Sequence, residues 1–239
     1  MSLELYIGPM FSGKSSAVVA TLRRNAVIGI KTLCITSSLD TRYKNDSIVS
    51  HNGDSYPAFS KDALMPIVKT GEFLQSSHII VEEAQFFPDL KQFVMCAVDV
   101  MRKHVVVVGL DGDSNREPFG QILQLVPHAD TIRKFKALCV DCKDGTEAIY
   151  TSRTSAVLDQ VNVGGADQYV PLCRDHYVGK LRWEMKRNQE ALDKYLENYI
   201  FPLVTTATEY LDFILQFVEP TEAGKYLLKM FPKKDEAPA

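Results

Sequence analysis

The sequence predicts an α/β fold, a parallel sheet layered with helices, followed by a small metal-stapled domain and a helical C-terminal stretch. Three observations lead there. A glycine-bounded loop, Gly8-Pro9-Met10-Phe11-Ser12-Gly13-Lys14-Ser15, lies between an apolar run, Leu3–Ile7, and a helix-like segment that reaches Asn25. Further β-rich runs at Lys31–Thr36, His78–Val81 and His104–Gly109 alternate with helical patterns. The last contains four consecutive valines and reads as a central parallel strand. Beyond Arg133 the character changes, and two ligand pairs appear, Cys139-x-x-Cys142 and Cys173-x-x-His176.

The glycine-bounded loop fits G-x-x-x-x-G-K-[ST]. Gly8 and Gly13 let the backbone turn tightly and bring its N–H groups up to phosphate oxygens. The helix that follows points its positive end at the same anion. Lys14 has the reach for the β- and γ-phosphates, and the Ser15 hydroxyl is a ligand for Mg²⁺. Strand, loop and helix stand in the order a P-loop requires. The first part of the chain is therefore read as a P-loop NTPase core that binds a nucleoside triphosphate.

Taken in order, Leu3–Ile7 is the first strand, Ser15–Asn25 the first helix and Lys31–Thr36 the second strand. Asp40-Thr41-Arg42-Tyr43 follows at a strand end, where loops commonly carry function. Lys44–Asp54 is polar and turn-rich, and its middle is read as mobile. Leu90–Arg102 has helical periodicity, and Asp111–Phe119 is a polar loop expected on the same side as the P-loop. Lys136–Cys142, Ala148–Ser152 and Val161–Val163 read as short strands around the ligand pairs. Arg182–Asn198 is charged and amphipathic, Leu203–Val218 is aromatic and aliphatic, and Thr221 caps a last helix to Phe231. The division implied is a P-loop core at 1–133, a zinc-ribbon-like domain at 134–179, a helical extension at 180–231 and a loose tail at 232–239.

Composition excludes several classes. A chain of 239 residues with 46% hydrophobic and 24% charged content is an ordinary globular protein of one large domain plus an appendage. A net charge of −3 argues against neutralising nucleic-acid phosphates as its main task. No apolar run approaches a membrane span, and the N-terminus enters a strand directly, without a signal-peptide pattern. Five cysteines, three of them at metal-ligand spacing, suit a reducing compartment, so a cytoplasmic protein is expected. Cys34 and Cys96 lie in apolar runs and read as inert core thiols.

Cys139, Cys142, Cys173 and His176 make a complete tetrahedral Cys₃His set, against the alternative of two unrelated cysteine pairs with a bystander histidine. With every position taken by protein, Zn²⁺ there is structural and closes the base of the loop from Lys143 to Leu172. Glu82-Glu83 ends a buried strand, where the acidic element of a P-loop enzyme belongs, with Gln85-Phe86-Phe87 behind it. One carboxylate would hold the Mg²⁺ hydration shell and its neighbour would accept a proton from an attacking hydroxyl. The bland alternative is a solvated acidic turn.

These residues together resemble the small, zinc-containing thymidine kinases of eukaryotic cytosol, many bacteria and large DNA viruses. The resemblance runs from Leu3 to Tyr177 and rests on Gly8–Ser15, Asp40-Thr41-Arg42-Tyr43, Glu82–Phe87, Leu110–Gly120, the ligand quartet and Gly164-Gly165-Ala166-Asp167-x-Tyr169. It implies transfer of the ATP γ-phosphoryl group to the 5′-hydroxyl of thymidine. Glu83 matches the catalytic base, and Lys14, Ser15 and Mg²⁺ would handle the triphosphate with Asp40, Glu82 and Gln85. Arg42 would stabilise transition-state charge. Met10, Ser114 and Phe119 would line the base pocket, Tyr169 would contact substrate, and Gln160, Val161, Val163 and Gly164 belong to a lasso whose backbone reads the pyrimidine. A homodimer or homotetramer and feedback inhibition by dTTP are implied too, with no nucleic acid and no membrane partner.

Three positions depart from the family pattern. Glu82 stands where Asp is usual, and His176 where a fourth cysteine is usual. Ser114 stands where many members place a phenylalanine, a loss of apolar surface worth ~1–3 kcal/mol. The alternatives to a thymidine kinase are a broader pyrimidine deoxynucleoside kinase and a non-catalytic nucleotide-binding subunit. The stretch beyond Leu181 is either a helical cap or an oligomer interface built on residues such as Tyr210, Phe213 and Phe217.

Overall fold

The computed structural model describes residues 1–40, 47–49, 55–154, 164 and 167–187. The chain divides by compactness into Met1–Arg174 and Asp175–Ala239. In order, the first unit runs β1 (Ser2–Ile7), α1 (Lys14–Val27), β2 (Thr32–Ser37), β3 (Ser47–Val49), β4 (Ser55–Pro57), β5 (Phe59–Lys61), α2 (Gly71–Gln75) and β6 (His78–Val81). It continues through α3 (Leu90–Met95), β7 (His104–Gly109), β8 (Thr131–Lys134), β9 (Ala137–Leu138), β10 (Glu147–Ala148), β11 (Tyr150–Arg153) and β12 (Tyr169–Leu172). A last helix, α4, spans Arg174–Arg187.

Six strands form one sheet in the order β5-β2-β6-β7-β1-β8, every pair parallel. The strands have the alternation that this requires. Leu3, Leu5, Leu33, Ile35, Ile79, Val81, Val105 and Val107 face one way, against Phe73, Phe87, Leu90, Phe93, Ile122 and Leu125. Tyr6, Cys34, Ile80, Val106 and Val108 face the other way, against Val18, Val19 and Leu22 of α1. Both faces are therefore covered, which explains why the strands read as continuous apolar runs. Each fully buried phenylalanine (Phe73, Phe87, Phe93) contributes ~1.5–3 kcal/mol relative to exposure. Cys34 is buried as expected, and burial pushes its thiol well above the usual range.

Several elements differ from the sequence reading. The helix expected over Leu90–Arg102 is α-helical only to Met95, and Cys96–Val100 widens into a π turn closed by Met101 N–H donating to Cys96 O at 2.9 Å. Lys103 N–H then donates to Ala97 O at 2.9 Å, so the widened turn delivers the chain directly into β7. The strand expected over Lys136–Cys142 stops at Leu138, because the ligand turn begins at Cys139 and Lys143 takes a left-handed conformation with φ 57°. β8 is fully exposed and its Thr-Ile-Arg-Lys sequence carries no apolar run, yet it pairs with β1 as an edge strand. Within the segment read as mobile, Ser47–Val49 is β3, paired antiparallel with β4; the remainder lies outside the described residues. Val161–Val163 and the helices expected after Arg187 lie outside them as well. Among the described residues no helix is long and apolar enough to cross a membrane.

The strand starts carry their own chemistry. His78 and His104 open β6 and β7 side by side, their rings stacked with centroids 4.6 Å apart. Lys103, buried beside Phe73, donates to Ser76 O at 2.6 Å, and burial pushes its pKa down. His78 is also pushed below the ordinary value, first by burial, then by repulsion from His104 and the N-terminal amine, with Glu4 opposing. A histidine depressed in the folded state takes up its proton more readily in the unfolded chain. Its contribution is thus full above the unfolded pKa of ~6.5 and is lost as pH falls toward the folded value. Denaturant titrations are expected to give lower stability at pH 5.5 than at pH 7.5, with a shallower slope for His78→Gln.

Candidate active site

β6, β7 and β1 are neighbours, and their carboxyl ends align: Ile7 pairs with Gly109, and Val81 with Val107. In a parallel sheet the loops leaving those ends share one rim, where ligands bind. The P-loop, the acidic pair and the Asp111–Phe119 loop all start there.

The P-loop is held in a conformation few residues tolerate. Gly8 has φ 150°, and a Cβ there would collide with the Phe135 carbonyl oxygen. Gly13 has φ 83° with open space around it, so backbone conformation, not crowding, demands glycine. Phe11 also adopts a left-handed φ, 63°. Ser12 Oγ donates to Pro9 O at 2.8 Å, and Lys14 Nζ donates to Gly8 O at 3.0 Å and Pro9 O at 2.7 Å. The ammonium thus lies across the loop that it serves. Met10 is buried, and its N–H donates to Thr151 Oγ1 on β11 at 3.0 Å. Thr151 was not among the residues singled out by sequence. No motif marks it, because its role comes from β11 being brought beside the P-loop.

Ser15, on the first turn of α1, donates through Oγ to Glu82 Oε1 at 2.6 Å. Glu82 is buried at the end of β6. Glu83 is half-buried and left-handed, with φ 51°. Gln85 Nε2 donates to Glu83 Oε2 at 2.6 Å, and Gln85 Oε1 accepts from Leu110 N–H at 3.1 Å. Asp40 sits after β2, where its N–H donates to Ser37 O at 3.1 Å. Arg42 lies outside the described residues.

The loop after β7 is a closed turn. Asp113 is buried, and its Oδ1 accepts from Asn115 N–H at 2.8 Å and Glu117 N–H at 2.9 Å. Ser114, half-buried, is next to it. Phe119 is buried edge-on to Phe86, ring centroids 5.6 Å apart. On the far side, β11 and β12 pair antiparallel, Arg153 against Tyr169. Both side chains are buried, and Arg153 Nη2 donates to the Tyr169 hydroxyl at 3.2 Å. Thr154 N–H donates to Gln168 O at 2.9 Å, which continues the pairing of β11 with β12 by one bond. Gly164 packs against Gln168 so tightly that a Cβ would strike its side chain. Gln160, Val161 and Val163 lie outside the described residues.

The ligand atoms of Cys139, Cys142, Cys173 and His176 lie within 4.8 Å of one another. Zn–S bonds of ~2.3 Å at tetrahedral angles place sulfurs about 3.8 Å apart, and Cys142 Sγ and Cys173 Sγ are 3.8 Å apart. The donor set and its spacing therefore fit zinc. Burial raises the Cys139 thiol, but N–H groups of Cys173, Cys142 and Asp141 pull it down to about 6. Cys142 is pushed up to about 11, by burial and by its neighbouring thiols. A bound cation would reverse that competition and draw the sulfurs into thiolate form.

A sequence model of the thymidine kinase family matches residues 1–177. A thymidine kinase of Arabidopsis thaliana is 37% identical over 180 residues, covering 74% of this chain and 75% of its own. The human protein named cytosolic thymidine kinase is 36% identical over 178 residues, 74% of each chain. The thymidine kinase of vaccinia virus (strain Ankara) is 33% identical over 177 residues, covering 97% of its own length.

Two outcomes test the geometry. A loss of only ~1.4 kcal/mol is tenfold in affinity, so Gly8→Ala is expected to weaken ATP binding about tenfold or more in calorimetric titration. Gly29→Ala, also at positive φ but in open space, should lower stability and leave binding intact. Metal analysis is expected to find one zinc per chain; Cys142→Ser or a strong chelator should remove it and lower the melting temperature.

Proposed function

The chain belongs to the thymidine kinase family, and on that premise we propose that Glu83 is the base for transfer of the ATP γ-phosphoryl group to the 5′-hydroxyl of thymidine. The activity itself is ATP-dependent phosphorylation of thymidine, giving the monophosphate. The observation that most supports the residue assignment is the contact of Ser15 Oγ with Glu82 Oε1 at 2.6 Å. It joins the P-loop to the acidic pair at the aligned ends of β1 and β6.

The P-loop N–H groups and the start of α1 would cradle the triphosphate. Lys14 would leave its carbonyl partners for the β- and γ-phosphates. Ser15 and Glu82 would hold Mg²⁺, directly and through water, which supplies charge neutralisation on those phosphates. The extra methylene of Glu82 over aspartate is compatible with an indirect contact. As the 5′-oxygen attacks the γ-phosphorus, Glu83 takes its proton and the bond from γ-phosphorus to the bridging oxygen breaks, releasing ADP. Arg42 would stabilise the negative charge that develops, and Asp40 would belong with Ser15 and Glu82 to the Mg²⁺–ATP site. Met10, Ser114, Phe119 and Tyr169 would line the thymidine site, and Gln160, Val161, Val163 and Gly164 would read the base by backbone.

The proposal extends to a division at 133 and 179 between core, zinc-stapled domain and helical extension, to a cytoplasmic location, to assembly as a homodimer or homotetramer, and to inhibition by dTTP. The relatives' names do not favour a broader pyrimidine kinase or a non-catalytic subunit. Glu83→Gln is expected to lower the single-turnover rate by ~10²–10⁴-fold, the usual worth of general-base catalysis. ATP binding by the same variant should stay near normal; turnover close to that of the unaltered chain would remove Glu83 as the base.

A further inference from the structure

We propose that Gln85 is a positioning residue that aims the Glu83 carboxylate, and does not bind the nucleotide among whose ligands its sequence position placed it. The inference rests on Glu83 acting as the base. Gln85 is buried, and both ends of its amide are engaged within the protein. The backbone N–H of Leu110 can only donate, so the oxygen of the Gln85 amide must face it at 3.1 Å. The nitrogen must then face Glu83, where it donates to Oε2 at 2.6 Å. The orientation of the amide is thus dictated by its two partners and leaves a donor on the carboxylate.

Glycines make room for this arrangement. A Cβ on Gly109 would overlap Gln85 Oε1, and a Cβ on Gly120 would overlap the Gln85 carbonyl oxygen. Gly109 is also the residue paired with Ile7, immediately before the P-loop. The chain of contacts therefore runs from Glu83 through Gln85 and Leu110 to the end of β7, and from there to β1. Through it, the base is referenced to the same sheet end as the loop that carries the phosphates. Glu83 follows its strand on a left-handed turn with rotatable side-chain bonds, so backbone position alone would not hold its carboxylate in line.

An N–H donated to a carboxylate favours the ionised form. Removing the donor should leave the charged carboxylate less stabilised and blur its aim, with substrate contacts kept. Single-turnover rates of Gln85→Leu, measured across pH with thymidine, ATP and Mg²⁺, are expected to fall ~10–100-fold at neutral pH, a fraction of a full general-base effect. Their acid limb should move to higher pH, while KM for both substrates stays within about threefold. Gln85→Glu keeps the acceptor for Leu110 but sets a carboxylate against Glu83, so its limb should move further. Lys14, Glu82, Asp111 and Lys134, charged groups on the neighbouring elements, are untouched in both variants. A rate loss with an unmoved acid limb in both, or a rise in the KM for ATP as the main effect, would overturn the proposal. If Glu83→Gln is inactive while the Gln85 variants keep the original pH profile, only this inference fails; if Glu83→Gln turns over, the base assignment fails and takes this inference with it.

Discussion

The parallel pairing of β1 with β7 sets Ile7 against Gly109, and so starts the P-loop and the Asp111–Phe119 loop from one rim. β6 joins the same rim through β7, with Val81 against Val107, and delivers Glu82 and Glu83. Had the register slipped by one residue, the alternating faces of the strands would have turned over. The apolar core on both sides prevents that slip. Packing of Leu5, Val107 and Val81 on one face, and of Tyr6, Val106 and Ile80 on the other, is thus also what aligns the P-loop with the Glu82-Glu83 pair.

On that rim the polar groups are arranged in linked pairs. Lys14 rests on the P-loop carbonyls, Ser15 on Glu82, and Glu83 on Gln85. Buried polar groups are costly when unsatisfied, so such partners stabilise the site before any substrate arrives. Electrostatic preorganisation of this kind lowers the reorganisation needed during reaction. Glycines at 8, 109 and 120 serve the same end, since at each a Cβ would strike a neighbouring backbone or side-chain oxygen.

The thiol-rich cluster works at a different level. Its ligand atoms gather from a turn after β9 and from the β12–α4 junction. Zinc held there would tie the turn after β9 to the end of β12, and Thr154 N–H donates to Gln168 O beyond the paired ends of β11 and β12. Thr151, on the same β11, bonds the P-loop backbone. That bond links β11 directly to the P-loop.

Much of this was legible in the sequence, because it is encoded by local pattern. The P-loop, the four-valine strand and the Cys₃His spacing each follow from residues close together in the chain, where periodicity, glycine placement and ligand chemistry act directly. β8 was not legible, since an exposed Thr-Ile-Arg-Lys segment becomes a strand only because β1 offers it an open edge. The π turn at Cys96–Val100 was hidden for a similar reason: helical periodicity continues through it, and the docking of Lys103 onto Ala97 decides how the helix ends. Sequence alone determined the P-loop motif and the Cys₃His spacing, because both are patterns of residues close together in the chain. Tertiary structure decided that Thr151 touches the P-loop and that Gln85 faces Glu83, because those contacts arise only when strands distant in the chain are brought to one edge.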